Sequence, residues 1–280
     1  MARNLEEGEI LIEKESIVAL VAILLFSSAA LPQGRGQRGG GQRGAAQESA
    51  SATAALPFSP RDLSGIWLGR NRVLAVSEDP PPRTPWGDAK FNSYKPSYGP
   101  RAIPPALGND PQGNCDPLGI PRLLMFENNP WDFEIIQMPD RMLQVFDRHH
   151  VYRQIWTDGR ELPRDPDPRW MGYSVGKWDG DALVVNSVGF DDRSWLDHFG
   201  NPHSDRMRLE ERYRRVNHDT IELVMTITDP MTYTKPWVSD KKILTWQNIK
   251  EFPDELFCVP SEEQAFNKRV RDPAGGLINK

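Results

Sequence analysis

The segment Trp195–Asp205 (WLDHFGNPHSD) gathers the side chains best able to move protons. It places Asp197, His198, His203 and Asp205 on one loop beside Trp195. Histidine titrates near neutrality, so His198 or His203 could act as general acid or base. Asp197 could fix the tautomer of His198, although adjacent side chains rarely face each other. A metal held by His198 and His203 is the weaker reading, because the spacing is loose and no third ligand is evident. Loop histidines that cap turns are the structural alternative.

A second group could hold a substrate. Arg160, in the charged, proline-containing stretch 158–169, suits an anion anchor. Trp170, Tyr173 and Trp195 offer rings to line a pocket. In the hairpin 208–228, pairing Val216 with Ile221 would set Glu210 and Arg212 on the same face as Leu223, Met225 and Ile227. Buried charges are costly unless paired or used. Glu210 and Arg212 would then be an internal pair or part of a polar pocket floor, and a register slip would reverse the argument. His149 and His150 sit at a strand turn, where alternate faces argue against joint chelation.

These residues need a scaffold, and the scaffold is β. In Gly172–Phe190 two apolar-alternating runs flank Asp179-Gly180, a strong hairpin signal of type I′. The expected pairing sets Trp178 opposite Asp181 and Ser174 opposite Val185, with Gly172, Ser174 and Gly176 leaving room for a ligand or for Trp178. From Leu123 onward, strand signals follow one another: LLMFE, FEIIQM, RMLQVFD, VYRQIWTD, GYSVGKW, DALVVNSVGF, RLEERYRRV and TIELVMTITD. Short polar turns separate most of them. That pattern predicts an all-β, antiparallel up-and-down meander closing into a barrel, with 241–251 as a possible last strand. Residues 79–122 are loaded with proline, which excludes central strands, so they form an extended arm docked by Trp86, Phe91, Tyr94 and Tyr98.

The chain has 280 residues and a formal net charge of −5. Residues 17–30 form a short apolar run ending in small residues, which reads as a signal peptide in 1–30. Its acidic lead-in leaves an uncleaved anchor open, the one route to a membrane. Residues 31–56 read as a disordered Gly/Gln/Arg/Ala-rich linker. The remainder, 57–280, suffices for one barrel domain. In an exported protein, periplasmic or extracellular, Cys115 and Cys258 read as one disulfide that clips the arm to the C-terminal end, with two separate buried thiols as the alternative. No basic stripe points to nucleic acid. GxSxG, GxGxxG, P-loop, HExxH and CxxC motifs are absent from the sequence, so no cofactor is expected.

The series DLSGIW, PPRTPWG, NDPQGNCDPLGIPR, IWTDGRELPRDPDPRWMGYSVGKWDGDALVVNSVGF, WLDHFGNPHSD, ERYRR and TITDPMTYTKPW resembles a large family of exported, mostly uncharacterised bacterial proteins. The likeness covers about 57–258. The Gly-x-Trp of DLSGIW is also similar to the first strand of lipocalin-like, or calycin, barrels. That more distant likeness implies a small-molecule cavity. Two functions fit: a lyase or isomerase working by proton transfer on a small organic substrate, or a carrier that binds without turnover.

Overall fold

Apolar residues alternate with polar ones along most strands, and each strand turns its apolar face to a common interior. The computed structural model describes residues 56–69, 74–125, 132–249 and 257–276. The expected signal peptide and nearly all of the expected linker lie outside these residues.

Among the described residues ten strands form one sheet: β1 (Gly65–Gly69), β2 (Phe133–Gln137), β3 (Arg141–Phe146), β4 (Val151–Trp156), β5 (Tyr173–Asp179), β6 (Ala182–Val188), β7 (Arg208–Asn217), β8 (Thr220–Thr228), β9 (Trp237–Val238) and β10 (Lys242–Trp246). They follow chain order from β1 to β8, and β10 pairs with both β8 and β1. The barrel closes there over nine strands, while the short β9 extends the same edge of β8. Closure removes most of the exposed edge that an open sheet would carry. The lumen is packed with Trp67, Phe133, Met142, Ile155, Leu223 and Met225, each at most 2% exposed.

One pairing departs from the antiparallel expectation. Strands β4 and β5 are parallel and share only Ile155↔Ser174 and Trp156↔Val175. Loop 157–172 carries the chain across between them. The first four residues of β4, Val151–Gln154, therefore pair with β3 alone.

Two registers also differ from expectation. Asp179 pairs with Ala182, Trp178 with Leu183 and Ser174 with Ser187. The turn is therefore Gly180-Asp181, with a positive φ (+59°) only at Gly180, the pattern of a type II′ turn. This shift is of two residues, so each side chain keeps its face. Between β7 and β8 the shift is of one residue. Arg215, not Val216, pairs with Ile221, and the irregularity between Arg215 and Asn217 absorbs the extra residue. Leu209, Glu211 and Tyr213 consequently face Ile227, Met225 and Leu223 inside, while Glu210 and Arg212 turn outward.

The expected LLMFE strand does not form at its start. Arg122–Leu124 is a 3-10 turn, with Leu124 N–H donating to Pro121 O. Its apolar run has no alternation, and Leu123, Leu124 and Met125 are all buried together. The proline-rich arm is also more structured than an extended strap. Thr84 caps a helix α1 (Pro85–Ser93), its hydroxyl accepting from Gly87 N–H at 3.1 Å, and Pro85 opens the first turn. The arm docks through Thr84 N–H to Thr232 O. Any Cβ on Gly87 would lie 2.3 Å from that same carbonyl oxygen, so the close approach requires glycine. A disulfide joins Cys115 to Cys258, as expected, tying the arm to the segment that precedes helix α2 (Pro260–Phe266).

Candidate functional site

The lumen holds a polar knot rather than a cavity. Arg153 projects inward with Val151 and Ile155 on the alternation of β4. Its Nε donates to Ser174 Oγ (3.0 Å), one terminal nitrogen to Gln144 Oε1 (3.1 Å) and Glu211 Oε1 (2.9 Å), the other to Ser187 Oγ (2.8 Å) and Glu211 Oε2. All five N–H donors of the guanidinium are thereby used. Tyr213 Oη donates to Glu211 Oε1 at 2.7 Å and accepts from Gln144 Nε2 at 3.1 Å. Burial, reinforced by Glu211, pushes the Tyr213 phenol well up. The Glu211 carboxylate holds the Arg153 guanidinium charged against the opposing effect of burial. Ser174 and Gly176 are small because Arg153 and Ile155 fill the space beside them. Sequence reasoning missed this knot, though the alternation of VYRQIWTD places Arg153 inward.

The Trp195–Asp205 loop turns most of its chemistry inward as well. The Asp197 carboxylate accepts from the backbone N–H groups of Val76, Phe199 and Asn201 and from Asn201 Nδ2. Desolvation pushes its pKa up, against those donors. His198 Nδ1 accepts from Arg122 Nε and from a terminal nitrogen at 3.3 and 3.1 Å. Arg122 in turn forks onto Asp110 at 2.9 and 2.5 Å. Burial and the Arg122 charge drive the His198 pKa well down, which keeps the ring neutral. His203 donates from Nδ1 to Ser204 O (3.0 Å) and accepts at Nε2 from Ser194 Oγ (2.8 Å). Its pKa is also lowered, chiefly by burial. Trp195 stacks on Tyr94, ring centroids 4.8 Å apart. Trp195, Asp197, His198 and His203 thus cap one end of the barrel through satisfied bonds and packed rings. Asp205 is exposed and lines two shallower surface grooves.

A groove among the described residues lies elsewhere, on the outside of the β4–β5 seam. It measures about 660 Å³ and is walled by Tyr152, Trp156, Arg160, Arg169, Trp170 and Tyr173. That volume suits a small organic ligand. Its position follows from the fold. The strands diverge beyond their two shared pairs, and loop 157–172 passes over the gap. Thr157 N–H donates to Asp140 O, which fixes the bonding phase between β3 and β4. By alternation, Tyr152 and Gln154 direct their backbone N–H groups away from β3, toward the groove. The Arg160 guanidinium lies 3.4 Å from the Trp156 ring centroid and forks onto Asp158. Arg169 lies 4.3 Å over Tyr173.

Three expected binding residues, Arg160, Trp170 and Tyr173, therefore share this groove. Glu210 and Arg212 do not, because of the one-residue slip: Arg212 pairs on the surface with Asp179 at 2.6 Å. Glu210 lines a separate shallow groove with Arg208 and Asn186. His150, read from the sequence as a turn residue, lines the main groove and stacks on Phe257 with centroids 4.5 Å apart. Both His149 and His150 have positive φ (+64° and +48°), a conformation that non-glycine residues seldom hold. No cluster of three or more acidic, histidine or cysteine side chains suited to a metal occurs among the described residues.

Fold and groove together define a closed, mixed β-barrel, compatible with a lipocalin-like barrel, with an opening on the wall. No family model, curated protein or solved structure matches the chain.

Proposed function

We propose that this protein is a small-molecule-binding β-barrel whose ligand occupies the groove outside the β4–β5 seam. One observation carries the reading: the lumen is filled by the Arg153–Glu211 knot and apolar side chains, while a ring-lined groove of about 660 Å³ opens on the wall. Fold-level likeness to ligand-carrying barrels adds only analogy. Export to the periplasm or beyond belongs to the same proposal. The Cys115–Cys258 disulfide supports it, since such bonds persist in oxidising compartments. No helix among the described residues is long and apolar enough to cross a membrane.

The lyase or isomerase reading survives as a second proposal on a different histidine. His150 lines the groove, and its buried Nε2 has no hydrogen-bond partner among the described residues. That nitrogen is itself buried, so proton transfer to a ligand by this ring requires the ring to turn toward the groove.

Ligand capture separates the two. Purified protein is equilibrated with a metabolite mixture, and depletion and products are followed by mass spectrometry. A ligand retained by wild type and lost by Trp170→Ala supports the groove. A new product formed by wild type and abolished in His150→Ala supports turnover. Depletion that Trp170→Ala leaves unchanged counts against the groove.

A further inference from the structure

The walls of the groove carry a chemical preference. Two guanidinium groups, Arg160 and Arg169, sit over rings of the wall, 3.4 Å from the Trp156 centroid and 4.3 Å from that of Tyr173. A guanidinium held over a ring by its face can offer its N–H edge to a planar acceptor. The two differ in pairing. Arg160 already forks onto Asp158, whereas Arg169 makes no ion pair among the described residues. The backbone N–H groups of Tyr152 and Gln154 add donors along the β4 edge. His150 closes the groove at its side with its ring, its Nε2 being buried. Against these donors, the lining contributes one carboxylate, Glu161, which is exposed. The remaining surface is ring and hydrocarbon: Trp170, Tyr152, Met171 and Leu162.

A ligand that satisfies such walls has a flat apolar body and an anionic, planar acceptor at its edge. Resting on the reading of the groove as the ligand site, we infer that its ligand is an aromatic acid, an arylcarboxylate, with the carboxylate on Arg169 and the ring against Trp170 and Tyr152. A neutral aromatic would leave the Arg169 edge to water, and a cationic one would meet two guanidinium groups. Charge-assisted bonding to a guanidinium is about twice as strong as bonding between neutral partners, so the acid group contributes to selection as well as to orientation.

The test compares shape-matched acids and amides: benzoate with benzamide, 2-naphthoate with 2-naphthamide, and indole-3-acetate with indole-3-acetamide. Binding to the full-length oxidised protein is followed by tryptophan quenching and calorimetry. At least one acid is expected to bind about tenfold or more tightly than its amide. Arg169→Gln should reduce that ratio to about twofold or less, while Trp170→Ala weakens both members of the pair. Arg169 is exposed, so its replacement leaves the fold intact, which a thermal melt verifies. Acid and amide binding equally well to wild type, with both weakened by Trp170→Ala, overturns the arylcarboxylate inference and leaves the groove standing. Binding by neither member of any pair, or binding that Trp170→Ala does not change, overturns both.

Discussion

Arg153 and Glu211 are each at most 1% exposed, and each is intelligible only through the other. Removing one partner of a buried pair strands a charge and costs about 3–5 kcal/mol. Glu211→Ala should therefore lower the urea unfolding free energy by about that much, whereas a paired Arg153→Met/Glu211→Leu replacement should be near neutral. A Glu211→Ala loss of less than about 1 kcal/mol would show that the knot is solvated rather than sealed. Histidines set the acid limit. Burial lowers the His149 pKa from 6.5 to about 4, with Arg148 and Arg122 adding to the effect. His198 and His203 shift the same way. A base whose folded pKa is depressed takes up its proton first in the unfolded chain. Stability is then full above the unfolded value of 6.5 and falls as pH drops from there toward about 4. Asp197, raised by burial, acts in the opposite sense at the acidic end. Melting temperature should thus decline from about pH 7.5 to about pH 5. The slope should shrink in His149→Asn, since asparagine tolerates the positive φ. A flat profile, or an unchanged slope in the variant, would contradict this account.

At the level of elements, the β4–β5 seam decides where the wall groove, the proposed ligand site, opens. Arg153 and Ile155 direct their backbone N–H groups into the β3 ladder, whereas Tyr152 and Gln154 direct theirs to the groove. Amide hydrogen exchange should therefore be fast at Tyr152 and Gln154 and slow at Arg153 and Ile155. Equal protection at all four would mean that another segment covers the edge. The strands themselves were legible, since alternation in RLEERYRRV and TIELVMTITD marks two faces whatever the register. Which face points inward was not legible, because a single extra residue at Val216 exchanges them, and periodicity cannot reveal an irregularity in the ladder. The groove was half legible. Arg160, Trp170 and Tyr173 carried the aromatic and cationic signal, but a parallel pairing across loop 157–172 depends on tertiary closure. The burial of His198 and His203 was not legible in WLDHFGNPHSD. Residue type reports what a side chain can do, whereas burial and partners such as Arg122 and Ser194 decide what it does.

For the molecule as a whole, two closures act together. Strand β10 closes the barrel, and Cys115–Cys258 closes the arm over a sequence separation of 143 residues. In the chain-entropy model a loop of that length is worth about 5 kcal/mol. Cys115→Ser/Cys258→Ser should lower the unfolding midpoint accordingly while leaving the β-sheet circular dichroism in place. Loss of the sheet signal would mean that the disulfide is a condition of folding rather than a clip on a formed barrel. The central claim is that this barrel binds on its wall and not in its lumen. A crystal structure of the protein with a bound aryl acid tests it most directly. Ligand density is expected between Tyr152, Arg169 and Trp170, with Gln144, Ser187 and Glu211 unmoved. Ligand density inside the barrel, or against His198 and His203 at its capped end, would contradict it.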